Sequence, residues 1–191
     1  MKVRESGMPE EAIWKGFFDV SNILDALLIN ESTGNLIEIG CGYGTFTIES
    51  AVRVSGEVYA FDIEPGMIES AKAKSEQKQL KNINFIIRDI ISEGTGLTEN
   101  LIDYAMLFNI LHHSNPVEML TEVFRVLKYD GKAGIVHWRS DIATPRGPGP
   151  EIRPKPEQCI LWAEEAGFEI YKGPFILEPF HYGLIMKKPT V

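Results

Sequence analysis

Apolar positions along the chain follow two rhythms. Across residues 9–29, Ile13, Phe17, Val20, Ile23, Leu24, Leu27 and Leu28 recur three or four apart, the spacing of one helical face, and predict a helix ahead of the first strand. Beyond it, short apolar runs at 35–39, 58–61, 83–87, 102–108 and 133–138 predict strands, with helices between them at 46–54, 66–79 and 116–127. Runs that are apolar throughout suit strands covered on both faces, so the alternation predicts a doubly wound, mostly parallel α/β sheet with helices on both sides. From 139 to 154 proline and glycine crowd out both helix and central strand, predicting a long loop. A helix over 156–166 follows, stopped by Gly167, and then extended segments at 168–171 and 182–187, the last read as an antiparallel C-terminal strand.

Length and composition narrow this picture. A chain of 191 residues is expected to form one domain: an N-terminal helical cap (1–34), a core (35–139), the Pro/Gly-rich loop (140–155) and a C-terminal helix with strands (156–191). With 44% hydrophobic and 24% charged residues it falls in the globular range. Met1 to Gly7 lead into no signal-type apolar core, and no apolar run approaches the roughly 20 residues of a membrane span, so the expectation is a cytoplasmic protein. Cys41 and Cys159 lie far apart and outside any metal-ligand spacing, so no metal is expected. A net charge of −8 weighs against a nucleic-acid partner, whose phosphates are held largely by Lys and Arg.

The first strand runs into Gly40, Gly42 and Gly44, and a helix follows. In that setting glycines let the backbone approach a ligand, and the helix N-terminus attracts its acidic groups. Some twenty residues past the first glycine, a second strand ends in Asp62, where a carboxylate can accept from ribose hydroxyls; Asp-x-x-Pro also suits a helix cap. A third strand ends at Asp89, placed to accept from an adenine amino group, and a fourth runs into Asn109, His112 and His113.

The segment from Glu38 to Gly44 resembles the E/D-x-G-x-G-x-G signature of class I S-adenosylmethionine-dependent methyltransferases, and Asp62, Asp89, Leu111-His112-His113 and the stretch from Val123 to Gly131 stand in the order of their ubiquinone and menaquinone C-methyltransferase group. The resemblance implies a Rossmann-like fold with S-adenosylmethionine as cofactor. It places Gly40, Cys41, Gly42 and Tyr43 at the cofactor's amino-acid end with Glu38 supporting its amino group. Asp62 would hold the ribose, Ile63 and Met67 would pack on adenine, Asp89 and the Ile90 N–H would read its nitrogens, and Phe108 would flank the methionine portion. Asn109 is a candidate substrate contact; it is not followed by the Pro-Pro-Tyr/Phe of nucleobase and amide N-methyltransferases, which argues against those substrates.

His112 and His113 are the candidates for a general base, with a purely structural part as the alternative. His137, inside an apolar strand, reads as structural, and His181 stays open. Arg139 and Arg146, with Arg153, make the 140–155 loop a candidate lid whose cations clamp an anionic substrate; the alternative is a surface connector. Trp14, Phe17 and Phe18 read as packing against the sheet rather than as a cap over ligand. The expected partner is a small molecule. Against it stand a non-catalytic S-adenosylmethionine-binding sensor or partner subunit, and a nicotinamide-dependent oxidoreductase, whose fingerprint wants glycine where Thr45 stands.

Overall fold

The computed structural model describes residues 9–190; Met1 to Gly7, read above for a signal segment, lie outside them. Among the described residues seven strands form one sheet in the order β3-β2-β1-β4-β5-β7-β6. Strands β1 (Leu36–Ile39), β2 (Val58–Asp62), β3 (Ile83–Ile87), β4 (Ile102–Phe108) and β5 (Leu127–Trp138) run parallel to one another, while β7 (His181–Lys187) is antiparallel to both β5 and β6 (Glu169–Leu177). The strand order reverses at β1, the point where ligands of doubly wound sheets enter at the carboxyl ends.

Side-chain alternation sorts the core. Ile37, Ile39, Ala105, Leu107 and Ile135 face one layer with α6 (Pro116–Val126) and α7 (Pro156–Glu165). Leu36, Tyr104, Met106, Phe108 and Val136 face the other, with α2 (Val20–Ala26) and α3 (Thr45–Arg53). Proline at the first turn starts α4 (Pro65–Gln77), α6 and α7, where its missing N–H costs nothing. Gly167, at φ +97°, ends the last helix as expected.

Three departures from the sequence pattern lie in the first two thirds of the chain, and β6 also runs past its expected end at 171 to Leu177. The N-terminal helix is two, α1 (Glu11–Lys15) and α2, because the Asp19 carboxylate accepts from the Asn22 N–H at 3.1 Å and starts a fresh helix. A short α5 (Ile90–Glu93) follows β3, capped by Asp89. Strand β5 begins at Leu127 instead of 133, since its register against β4 jumps between Ile102 and Tyr104 and Asp130 sits at φ 62° in the intervening bulge. Among the described residues no helix is long and apolar enough to cross a membrane.

Candidate active site

A cavity of about 570 Å³ opens at the carboxyl ends of the parallel strands. Its floor is the loop after β1, where Gly40, Gly42 and Gly44 take φ of 76°, 52° and 75°. At Gly44 a Cβ would stand 2.8 Å from that of Ala71, and at Gly40 it would press on Ile110, so side chains here would strain the backbone and crowd neighbours. Beneath the loop Glu38 is buried and accepts from the Thr47 hydroxyl. Burial pushes its carboxyl up to about 8; the Thr47 bond opposes the rise and the Asp62 charge adds to it.

Asp62 spans the loop and the next element: Oδ2 accepts from Gly42 N–H at 2.8 Å and Oδ1 from Glu64 N–H at 2.9 Å. It therefore braces the glycine loop besides lining the cavity, and the α4 cap position falls to Glu64 instead. Burial raises its carboxyl above the ordinary range, against the pull of those two N–H bonds. Asp89 lines the cavity and accepts from Ile91 N–H at 3.1 Å, with Ile90 beside it and Ile63 on the same wall.

On the β4 side Phe108 meets Phe46 edge-on, ring centroids 4.7 Å apart. Asn109, at φ 54°, follows it, and His112 stands with Nδ1 3.4 Å from Nε2 of His137 in β5. Burial holds His137 well below the usual histidine range, with the like charges of His112 and His181 acting in the same direction. His113 also lines the cavity, but its Nδ1 accepts from Asn115 N–H at 3.4 Å and shapes the entry to α6.

The roof comes from two distant segments, Pro9 with Trp14 and the 146–149 stretch with Ile152. Arg153 builds the second: its guanidinium donates to the carbonyls of Pro148 (2.8 Å), Arg139 (2.7 Å) and Arg146 (3.3 Å) and to the Thr144 hydroxyl (2.7 Å). Arg146 lines the cavity.

Three expected site residues are not on these walls. Arg139 pairs with Asp141 at 2.8 Å on the surface. Tyr43 points to the N-terminal segment, its hydroxyl donating to Pro9 O at 3.2 Å while its carbonyl accepts from Lys74. Met67, half-buried on α4, lies outside the cavity. Conversely, Thr45, Phe46, Met119, Trp138 and Ile152 line it although the sequence singled none of them out as a wall, and so does Trp14, for which a cap over ligand was the alternative to packing.

Fold and cavity together define an α/β protein of the doubly wound class with a pocket at the carboxyl ends of its parallel strands. Residues 30–162 match the family described as a methyltransferase domain, and the chain belongs to that family. It is 28% identical over 150 residues to an aklanonic acid methyltransferase of Streptomyces sp. (strain C5), covering 69% of this chain and 63% of that one. It is 31% identical over 112 residues to a demethylmenaquinone methyltransferase of Lactococcus lactis, covering 51% and 39%. The chain thus spans less than two thirds of these relatives' lengths. A solved SAM dependent methyltransferase from Aquifex aeolicus superposes with a TM-score of 0.81 at 22% identity over 94% of each chain, a likeness of fold. Neither the oxidoreductase nor the sensor alternative finds support among these relatives.

Proposed function

We propose that the protein transfers a methyl group from S-adenosylmethionine to a small molecule held in this cavity. One observation carries the reading: the glycine loop, Glu38, Asp62 and Asp89, from three successive strand ends, border a single cavity of about 570 Å³, within the few-hundred to thousand Å³ range of small-molecule sites. The residues suit the group. Glu38 and the loop amides serve its amino-acid end, Asp62 its ribose, and Asp89 with Ile63 and the Ile90 N–H its adenine. The buried Thr45 hydroxyl, which has no partner among the described residues, adds a further polar contact at the start of α3.

When bound, the cofactor supplies an activated methyl on a sulfonium with a neutral leaving group, so the protein's part is alignment and exclusion of water. Phe46 and Phe108 form an apolar wall beside the loop, and the roof of Trp14 and the 146–149 stretch closes the cavity above it. His112, backed by His137, is the group positioned to take a proton from the acceptor. His113 is tied to the turn and Arg139 to Asp141, so neither is given a part in the chemistry.

Calorimetry with S-adenosylhomocysteine, followed by incubation with methyl-labelled S-adenosylmethionine and metabolite extracts, tests this. We expect binding, a loss of roughly tenfold or more in Asp62→Ala, and label in the small-molecule fraction. No binding of either S-adenosyl compound would refute the reading; binding without label transfer across broad extracts would favour a sensor.

A further inference from the structure

Among the described residues the sheet has two edges, and they are built differently. The β6 edge carries Lys172 and Pro174, and its register against β7 shifts twice, between Ile170 and Lys172 and between Lys172 and Phe175. Charge, proline and bulges are the means by which edge strands avoid pairing with another chain. The β3 edge has none of them. It reads Ile83-Asn84-Phe85-Ile86-Ile87 in unbroken register with β2, and its Ile87 side chain is exposed.

The backbone shows what this edge can accept. Val58 N–H donates to Asn82 O at 2.8 Å and Arg88 N–H to Asp62 O at 2.9 Å, so the even-numbered positions of β3 turn their peptide groups toward β2. By alternation Ile83, Phe85 and Ile87 turn theirs outward, and no loop or helix among the described residues bonds them. A second copy of β3 satisfies all of them. Laid antiparallel about a two-fold axis between the two Phe85 residues, it pairs Phe85 with Phe85 and Ile83 with Ile87 on either side. Of the two-fold registers that match outward groups to outward groups, this one alone uses all three positions of the strand on both copies.

Side chains fit the register that the backbone selects. Exposed Ile87 comes beside Ile83 of the other copy on the same face. Lys81, exposed just before β3, comes opposite Asp89, just after it, and symmetry repeats the pair. Arg88 is one position out of step with Lys81 and lies against Gly96.

We infer that the chain forms a two-fold dimer by antiparallel pairing of β3 with β3 of a second copy, which joins the two sheets into one. The two cavities, at the carboxyl ends of the parallel strands, then open on opposite sides of the joined sheet. The inference stands apart from what those cavities bind.

Sedimentation velocity of the whole protein over a wide concentration range, with hydrogen-exchange mass spectrometry at its two extremes, tests this. We expect a monomer–dimer equilibrium, with exchange over Ile83–Ile87 slowed roughly tenfold or more in the dimer. Ile87→Pro removes an outward N–H and leaves the bonds to β2 intact, so it should be monomeric while keeping the wild-type circular dichroism spectrum. Asp89 lines the cavity, so the charge test falls on Lys81. Lys81→Glu sets like charges opposite each other and should weaken the dimer roughly fivefold or more, an effect that shrinks in high salt. A monomer at every concentration, a dimer in which Ile83–Ile87 exchanges as fast as in the monomer, or a folded Ile87→Pro variant that still dimerises would overturn the inference. So would a Lys81→Glu dimer as tight as wild type. Should Ile87→Pro fail to fold, the exchange and Lys81→Glu measurements decide.

Discussion

At the scale of single residues, Glu38 carries the clearest electrostatic cost. Its carboxyl has an ordinary value of 4.5, and burial raises it to about 8 in the folded chain. Between those values the folded state binds a proton that the unfolded chain has released, so stability is fully present below about 4.5 and is lost as pH rises through 8. Glu38→Gln is the isostere of the protonated form and still accepts from Thr47. We expect it to gain stability over wild type as pH rises from 5 to 8, by an amount on the order of a few kcal/mol. Urea midpoints across that range check this, and superimposable wild-type and variant profiles would refute it. That an acidic residue belongs before the glycine loop was legible from the E/D-x-G-x-G-x-G resemblance. That it is buried against Thr47, nine residues on, was not, because the contact depends on how the following helix packs over the strand.

At the scale of elements, the parallel strands were legible because central strands bury both faces and appear as unbroken apolar runs. What escaped depended on hydrogen bonds that apolar spacing does not record: the Asp19 cap that splits the N-terminal helix, Asp89 capping α5, and the bulge that extends β5. Strand β6 ran past its expected end at 171 to Leu177 because an edge strand tolerates Pro174, which a central one would not. The 140–155 segment is a loop as its composition predicts, and Arg153 makes most of its side-chain hydrogen bonds. Arg153 donates to three carbonyls and a hydroxyl, and its guanidinium lies 5.8 Å from the Trp138 ring. Arg153→Met keeps the stem and removes the donors. The roof over the cavity should loosen, with amide exchange across 144–152 faster by roughly tenfold or more while exchange in β1 and β4 stays unchanged. Hydrogen-exchange mass spectrometry reads both regions together; an unaltered 144–152 segment would mean that the loop holds itself.

At the scale of the molecule, the floor of the site was legible and its roof was not. Glycines and strand-end carboxylates sit at fixed offsets within 38–90, whereas Trp14, from the N-terminal segment, and Ile152, from the segment between β5 and α7, line the same cavity although far apart in sequence. The fold also buries two histidines. His137 is fully enclosed, and His181 lies between Trp138 and Phe18, ring centroids 4.2 and 4.5 Å away, with neither nitrogen partnered among the described residues. Burial lowers His181 from its ordinary 6.5 to about 3, with Arg153 pushing the same way. For a histidine held neutral, stability is complete above 6.5 and lost as pH falls toward the folded value, because only the unfolded chain takes the proton. Glu38 acts in the opposite sense between 4.5 and 8. The two histidines make stability climb with pH below about 6.5, whereas Glu38, and Asp62 whose carboxyl burial also raises, make it decline as pH rises. His181→Phe keeps an aromatic between Trp138 and Phe18 and abolishes one proton uptake. It should be more stable than wild type by about 2 kcal/mol at pH 5, on top of any gain from removing two unpaired nitrogens, which alone should persist at pH 7.5. Thermal and urea unfolding at the two pH values separate the contributions: a variant whose advantage is the same at both would show that His181 is not held neutral by its burial.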